Sequence, residues 1–244
     1  MTNYRLLDIQ FEWNGQQQTI WPVMIYDESD VILVDCGYPG FLHFLEEAAE
    51  RSQFRFDHVT KLLLTHHDVD HVGSAASIKR KYPHIEIAAP ALEVPYINGT
   101  QKPLRLAQAE STLHELTGED KIRAEQFIRF LQSVEPVHVN QELHADDSLP
   151  WCGGIHVIHT PGHTPGHISL YLPSSKTLIA GDAIVIEHGK LDIANPQYAW
   201  DLKEAVRSVE RLSAYDISQV VCYHGGLFQG DVKSALHQLI KEYM

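Results

Sequence analysis

The segment from Thr65 to Gly73 concentrates side chains that bind divalent metal ions in proteins. In an extended chain alternate residues point the same way, so positions 66, 68 and 70 can converge while His67 and Val69 face elsewhere. A helix that begins there can turn position 71 back towards the same point. Imidazole nitrogen and carboxylate oxygen are donors that borderline divalent metals accept. The segment therefore predicts a metal site built from His66, Asp68, Asp70 and His71.

Three further segments place residues of the same types where a predicted strand ends. A Pro/Gly-rich turn carries His163, a short apolar strand leads into Gly181-Asp182, and another strand leads into His224. Strand ends are where open α/β sheets build their sites. A turn histidine with a satisfied hydrogen bond explains any one of these segments, but it does not explain their recurrence. The four segments together favour one shared metal centre.

The elements that must hold these residues alternate between strands and helices. Predicted helices follow Pro39-Gly40, run from near Asp70 to about Tyr82, and fill an insertion from about 90 to 135. This is an α/β pattern in which helices cover sheets. The predicted strands are Tyr4–Gln10, Ile20–Tyr26, Val31–Val34, Lys61–Leu64, Ile85–Ala88, Ile155–His159, Ile168–Leu172, Leu178–Ala180 and Val220–Tyr223.

Two more helices belong to the second half of the chain, and each has a capping signal. Asp201 is the expected N-cap of the first, with Glu204 three residues later completing a capping box. Asp231 is the expected N-cap of the helix that follows the last predicted strand.

Composition narrows the class of partner. The chain has 244 residues and a formal net charge of -13, which opposes binding to nucleic acid and to anionic lipid. No apolar segment approaches the length of a membrane span, and the N-terminus lacks a secretory pattern. Three cysteines, without metal-finger spacing, fit a reducing compartment. We therefore expect a soluble, cytoplasmic protein with a small-molecule substrate and no nucleic-acid or membrane partner. The sequence predicts no oligomeric state.

The metal segments resemble the successive metal motifs of the metallo-β-lactamase superfamily, in the family's order and at about its separations. Val31–Gly37 resembles the family's strand-to-loop signature before the first metal motif. The resemblance covers nearly the whole chain. It implies one domain over residues 1–244 with the four-layer αββα sandwich of the metallo-β-lactamase fold, an α/β class, and a helical insertion at about 90–135. The metals would lie in a cleft at one sheet edge.

The resemblance also implies which residue holds which ion. His66, Asp68 and His163 would hold the first metal. The second would be held by Asp70, His71 and His224, with Asp182 bridging both. Asp35 and Thr65 would orient the ligands from behind.

Asp68 departs from the family's commonest pattern, which has histidine at this position. Two divalent cations bring four positive charges, while Asp68, Asp70, Asp182 and a bridging hydroxide bring four negative ones, so the cluster would be neutral. A neutral cluster predicts a less acidic metal-bound water. Zinc is the expected metal, with greater tolerance of iron or manganese because these lean towards oxygen ligands. His67 as a substitute ligand is an alternative that the alternation of side chains disfavours.

The resemblance implies a dinuclear metal-dependent hydrolase in which a metal-bridging hydroxide attacks an ester, lactone or thioester substrate. Asp70 is the expected catalytic residue, because it can hold that hydroxide in line and pass its proton on. With Asp182 in place of a cysteine, the site resembles those of the family's lactonases and thioesterases more than those of its common β-lactamases. Two alternatives stay open, namely β-lactam hydrolysis and a metal-bound sensor or interaction module with little catalysis.

Substrate identity is not determined by these motifs. The family's acyl-homoserine lactonases have a catalytic tyrosine where this chain has Val185. Tyr198, Tyr223 and Tyr96 each offer a hydroxyl, although packing is the commoner role of a tyrosine. The insertion is expected to lie over the cleft, and its apolar side chains either line an acyl groove or attach the insertion to the sheet.

Overall fold

The computed structural model describes residues 3–13 and 15–244 of the chain. Its strands are β1 (Asn3–Leu6), β2 (Ile9–Trp13), β3 (Gln16–Ile20), β4 (Val23–Tyr26), β5 (Val31–Val34), β6 (Lys61–Leu63), β7 (Glu86–Pro90), β8 (Gln141–Leu143), β9 (Ser148–Leu149), β10 (Ile155–His159), β11 (Ile168–Leu172), β12 (Thr177–Ile179), β13 (Val185–Glu187), β14 (Lys190–Asp192), β15 (Gln219–Cys222) and β16 (Gly226–Phe228). Its α-helices are α1 (Leu42–Arg51), α2 (Val69–Val72), α3 (Ala75–Lys81), α4 (Val94–Ile97), α5 (Leu104–Thr112), α6 (Gly118–Leu131), α7 (Leu202–Leu212) and α8 (Val232–Tyr243).

Two large sheets form the centre of the described chain. One has the strand order β1-β4-β5-β6-β7-β8 and the other the order β16-β15-β12-β11-β10-β9. In the first sheet β5, β6, β7 and β8 run parallel, and in the second β12 and β15 run parallel. Since β10 and β12 are both antiparallel to β11, strands β10, β12 and β15 all point the same way.

Three apolar clusters show that the sheets and helices form four layers. On β5, Ile32 and Val34 face the cluster between the sheets, whereas Leu33 faces the cluster under α1 and α3. This alternation is what a strand buried on both faces requires. On the outer side of the second sheet, Val209 of α7 and Leu236 of α8 join a third cluster. The predicted αββα sandwich of the α/β class is confirmed.

Several predicted elements have other bounds than expected. The predicted strands Tyr4–Gln10 and Ile20–Tyr26 are each interrupted, so that β1 and β4 pair in the first sheet while β2 and β3 form a separate hairpin. Pro22 lies at the second interruption, where it lacks the N–H that a continuing ladder would use.

The helix predicted from Asp70 to Tyr82 is wrong as one element, because it is divided into α2 and α3. Gly73 lies at the break, where a Cβ would come within 2.3 Å of the Pro39 backbone nitrogen. Ser74 then donates its hydroxyl to the Tyr38 carbonyl at 2.7 Å. The break lets the chain that follows β5 approach the metal segment closely.

Capping is confirmed for both later helices, but the capping box is not. Asp201 accepts a hydrogen bond from the Glu204 amide at 3.0 Å, and Asp231 accepts one from the Ser234 amide at 3.0 Å. The Glu204 carboxylate does not return to Asp201, because it pairs instead with Arg207 and Arg211. The Asp201 amide donates to the Gly162 carbonyl at 2.9 Å, which fastens α7 to the turn that carries His163.

The insertion is helical, as predicted, and consists of α4, α5 and α6. Leu106, Ile128 and Leu131 form a small apolar cluster of their own, and Val69 of the metal segment packs against it. The insertion is therefore attached next to the metal segment rather than only to the sheet. No helix within the described residues is long and apolar enough to span a bilayer.

Candidate metal centre

The seven predicted ligands follow strands that point towards one edge of the two sheets. His66, Asp68, Asp70 and His71 come after β6, and His163 follows β10. Asp182 comes after β12, and His224 comes two residues after the end of β15. The structure brings all seven side chains together, although they are far apart in the sequence.

One group of donor atoms matches the predicted first metal site. His66, Asp68 and His163 each offer an atom within 4.8 Å of the others. Asp68 Oδ2 lies 3.1 Å from His163 Nε2 and 4.0 Å from His66 Nε2. Such spacings suit three ligands around a common cation.

A second group matches the other predicted site. Asp70, His71 and His224 also have donor atoms within 4.8 Å of one another. Asp70 Oδ2 lies 3.1 Å from His224 Nε2 and 3.7 Å from His71 Nε2.

Asp182 lies between the two groups and faces both of them. Its Oδ2 is 3.5 Å from His163 Nε2 of the first group. Its Oδ1 is 3.3 Å from His71 Nε2 and 3.6 Å from His224 Nε2 of the second. One carboxylate oxygen is thus directed at each group, which is the arrangement that a bridging ligand needs.

Unsatisfied polar atoms show that this cluster fits cations. Buried polar groups normally have hydrogen-bond partners. Within residues 3–13 and 15–244, four buried side-chain atoms have none, and all belong to the cluster: His66 Nε2, His71 Nε2, His163 Nδ1 and Asp182 Oδ1. The first two nitrogens and the Asp182 oxygen face other predicted ligands, which is the direction in which the donor atoms of a metal site would point.

Asp35 and Thr65 hold two of the histidines from behind, as the resemblance implied. Asp35 Oδ2 accepts hydrogen bonds from His71 Nδ1 at 2.9 Å and from the Thr65 hydroxyl at 2.8 Å. His66 Nδ1 lies 3.0 Å from the same hydroxyl, which already donates to Asp35, so His66 is the donor. Both histidines therefore carry their proton on Nδ1 and direct Nε2 at the cluster.

His67 faces away from the donor cluster, in agreement with the alternation argument. Its Nδ1 is hydrogen-bonded to the Glu93 carboxylate, and its Nε2 accepts from the Leu104 amide at 3.3 Å. Its ring stacks on Tyr96 with centroids 4.4 Å apart. Both ring nitrogens are thus already used. Sequence reasoning did not identify Glu93, since a single glutamate in a helical insertion has no spacing that marks it.

His167, on the same turn as His163, positions the Asp182 backbone. Its Nε2 accepts from the Asp182 amide at 2.9 Å, and its Nδ1 lies 2.9 Å from the Thr160 hydroxyl. Burial, reinforced by neighbouring histidines, lowers the pKa of His167 to about 3, so the ring stays neutral. Gly181 allows this contact, because a Cβ there would lie 2.7 Å from His167 Nε2.

Arg105 is a second residue that sequence reasoning missed. It lies on α5 of the insertion and donates from Nη2 to Asp68 Oδ2 at 3.1 Å. Asp68 is the predicted ligand at which this chain departs from the family's usual histidine. The guanidinium restores beside the cluster the positive charge that the carboxylate removes, so the predicted neutral cluster has a compensating cation next to it.

The charges of the cluster set the pKa values of its imidazoles in opposite directions. Burial would lower the pKa of His71, but Asp182, Asp35 and Asp70 outweigh it and raise that pKa well above its usual value. The same opposition raises the pKa values of His163 and His224. Burial and the nearby imidazoles hold the pKa of His66 well below its usual value.

A cleft of about 800 Å³ opens onto the cluster and is lined by five of the predicted ligands. Val185, in the position of the lactonase tyrosine, also lines it, and so do Phe127 and Leu131 of the insertion. Leu131 also belongs to the insertion's own apolar cluster, so its side chain packs within the insertion rather than onto the sheet.

One tyrosine that lines the cleft was not indicated by the sequence. Tyr38 lines the cleft, where burial and then the carboxylates of the cluster raise its pKa and keep the phenol protonated. Tyr223 instead donates to the Asp70 carbonyl at 2.6 Å, and Tyr96 packs on His67. The side chain of Tyr198 lies outside the described residues.

A family model and similar proteins of known sequence indicate the same family. The family model described as the metallo-beta-lactamase superfamily matches residues 18–224. A protein named probable metallo-hydrolase YflN, from Bacillus subtilis, is 26% identical over 207 residues, which is 80% of this chain and 75% of that protein.

Two further comparisons concern a named activity and a solved fold. A hydroxyacylglutathione hydrolase from Aeromonas hydrophila is 26% identical over 208 residues, and the match spans 84% of this chain and 60% of that enzyme. The crystal structure of the metallo-beta-lactamase family protein TTHA1429 from Thermus thermophilus has a TM-score of 0.76 at 23% identity, covering 98% of this chain and 79% of that one. The likeness to the Thermus thermophilus structure shows a shared fold.

Proposed function

The chain belongs to the metallo-β-lactamase superfamily, and on that basis we propose that it is a hydrolase that uses two divalent metal ions to cleave an ester, lactone or thioester bond. The observation that carries the proposal is the position of Asp182, with one oxygen directed at each group of ligands. His66, Asp68 and His163 would hold one ion, and Asp70, His71 and His224 the other. Zinc is the expected metal.

Two divalent cations, when bound, would supply a nucleophile at neutral pH by acidifying water and would polarise the scissile carbonyl. The chain's own residues keep the ligands in place. Asp35 fixes His71 directly and His66 through Thr65. Such hydrogen bonds hold a ligand ring in one orientation and one tautomer.

Asp70 is the residue best placed to move a proton. Its carboxylate is only 16% exposed, it lines the cleft, and its Oδ2 is 3.1 Å from His224 Nε2. A carboxylate there can accept a proton and return it to the leaving group. The protonated Tyr38 phenol on the cleft wall can donate a hydrogen bond to a bound substrate.

The lining of the cleft favours an uncharged acyl substrate over a phosphodiester. Besides the predicted ligands, its charged lining residues among the described residues are Arg105 and Glu187. These two residues carry opposite charges, so the lining adds no net positive charge that would attract a phosphate. The likeness to a hydroxyacylglutathione hydrolase supports inclusion of thioesters.

A hydrolysis panel tests this function. Metal-free and metal-reconstituted protein should be assayed on a lactone, a thioester, nitrocefin and a phosphodiester. We expect metal-dependent turnover on the lactone or the thioester, lowered about a hundredfold or more by Asp70→Ala or His71→Ala.

A matched control is Asp216→Ala, which removes an exposed carboxylate far from the ligands and should keep full turnover. Turnover of nitrocefin alone would favour β-lactam hydrolysis. Failure on all four substrates with metal bound would contradict the hydrolase and favour a sensor.

A further inference from the structure

Glu93 is a fully buried carboxylate that belongs to neither group of metal ligands. It lies at the start of the helical insertion, immediately before α4. Burying a carboxylate is costly unless hydrogen bonds replace the water that it loses. The partners of Glu93 therefore indicate what the fold gains from placing it there.

Each oxygen of Glu93 binds a different loop of the metal centre. Oε1 accepts from the Thr164 hydroxyl at 2.8 Å and from the Gly166 amide at 2.6 Å. Oε2 accepts from the His67 amide at 3.1 Å and from His67 Nδ1. Four donors thus satisfy one carboxylate, and these charge-assisted bonds are stronger than neutral ones.

The residues bonded to Glu93 are the chain neighbours of the first-site ligands. His67 lies between His66 and Asp68, and Thr164 directly follows His163. One carboxylate therefore joins the two loops whose side chains must meet around the first ion.

Gly166 makes the close approach of Glu93 possible. A Cβ at Gly166 would lie 2.5 Å from Glu93 Oε1, inside contact distance. A larger residue would push the carboxylate away from the turn, so the turn's composition and the position of Glu93 depend on each other.

The second metal site is supported by other residues. His71 is held by Asp35, and the backbone carbonyl of Asp70 accepts from the Tyr223 hydroxyl. Neither support involves Glu93 or the insertion. Asp35 also holds His66 of the first site through Thr65, whereas His67 and Thr164, which are bonded to Glu93, adjoin only first-site ligands.

We propose that Glu93 is a positioning residue for the first metal site, fixing the spacing between His66 and Asp68 on one loop and His163 on the other. The inference rests on the proposed two-metal centre. It makes the helical insertion a structural part of the site, because Leu104 at the start of α5 is bonded to the same His67 ring.

The test measures metal affinity rather than turnover. Co²⁺ is titrated into metal-free wild type and Glu93→Gln in competition with a chromophoric chelator. We expect the first site of the variant to bind about 10- to 100-fold more weakly, with the second site changed by less than about threefold. The Co²⁺ spectra of His163→Ala and His224→Ala identify which site has been weakened.

Two further variants guard against a plain folding defect. Thr164→Val removes one of the four donors and should weaken the same site to a smaller extent. Glu115→Gln changes an exposed glutamate of the same insertion and should leave both affinities as in wild type. Amide hydrogen exchange at His67 and Gly166 should be faster in metal-free Glu93→Gln than in wild type.

Wild-type affinities in Glu93→Gln, or an equal loss at both sites, would overturn the positioning role. The hydrolysis panel is read independently of metal affinity. If the wild type fails the panel while Glu93→Gln has a selectively weakened first site, the proposed reaction is refuted and the role of Glu93 is supported.

Discussion

Individual side chains set the electrostatics of this centre. Nearby aspartates outweigh burial and raise the pKa values of His71, His163 and His224, whereas burial and neighbouring imidazoles lower the pKa of His66. In the metal-free protein the carboxylates therefore hold protons on some of the nitrogens that a metal ion would need. Proton loss and metal binding are coupled.

This coupling predicts the pH dependence of metal affinity. Since the pKa values of His71, His163 and His224 lie above the ordinary 6.5, these rings remain protonated to higher pH than free imidazole. Binding must release those protons, so affinity should rise with pH and keep rising above 6.5, by about tenfold per pH unit for each proton released. Calorimetry in buffers of different ionisation enthalpy measures the release.

An affinity that stays level from about pH 6.5 to about pH 8.5 would contradict these protonation states. His224→Ala is the matched comparison, because it removes one of the three rings and should make the pH dependence less steep.

At the residue scale the sequence predicted ligands better than it predicted their supports. Alternation in the segment after β6 separated His66, Asp68 and Asp70 from His67, and in the structure His66 and Asp68 lie in one group of donors and Asp70 in the other. Arg105 and Glu93 were not predicted. They reach the centre only because the insertion packs there. A tertiary contact of this kind produces no recognisable pattern of residues in the local sequence.

Among the elements, the turns after the strands fix the ligands more than the strands do. Gly162 in the turn before His163 has φ +134, and α7 packs against it so closely that a Cβ would lie 2.3 Å from the Ala205 nitrogen. That atom belongs to a helix backbone, so little can give way.

Gly162→Ala should therefore destabilise the protein by about 2–4 kcal/mol, from backbone strain together with overpacking. Denaturant unfolding of the metal-free protein measures the loss. Gly154→Ala is the matched control, since Gly154 also has a positive φ, +111, but no atom within 4 Å of its Cβ position. It should lose only about 1–2 kcal/mol. Equal losses in both variants would mean that contact with α7 contributes nothing.

The predicted bounds of strands and helices were correct where a local sequence pattern alone determined the element. Val31–Val34, Ile155–His159 and Ile168–Leu172 have the predicted bounds, because an apolar run between polar turns is a local signal. The single helix from 70 to 82 was wrong because its break at Gly73 depends on contact with Pro39, more than thirty residues earlier in the chain.

For the whole molecule, the fold brings distant strand ends to one edge. The first sheet contributes the metal segment after β6, and the second contributes His163, Asp182 and His224 after strands that all point the same way. The alternation of predicted strands and helices indicated an α/β pattern, and the family resemblance supplied the four-layer arrangement. The position of the insertion at the cleft was expected, but its bonds to the metal loops were not.

Seven side chains arranged around a pair of cations should bind two metal ions per chain, and metal analysis of the intact protein measures this number. Protein reconstituted with zinc and freed of unbound metal should contain close to two ions per chain by elemental analysis. His224→Ala and His163→Ala should each retain close to one. One ion or none in the wild-type protein would contradict the two-metal centre.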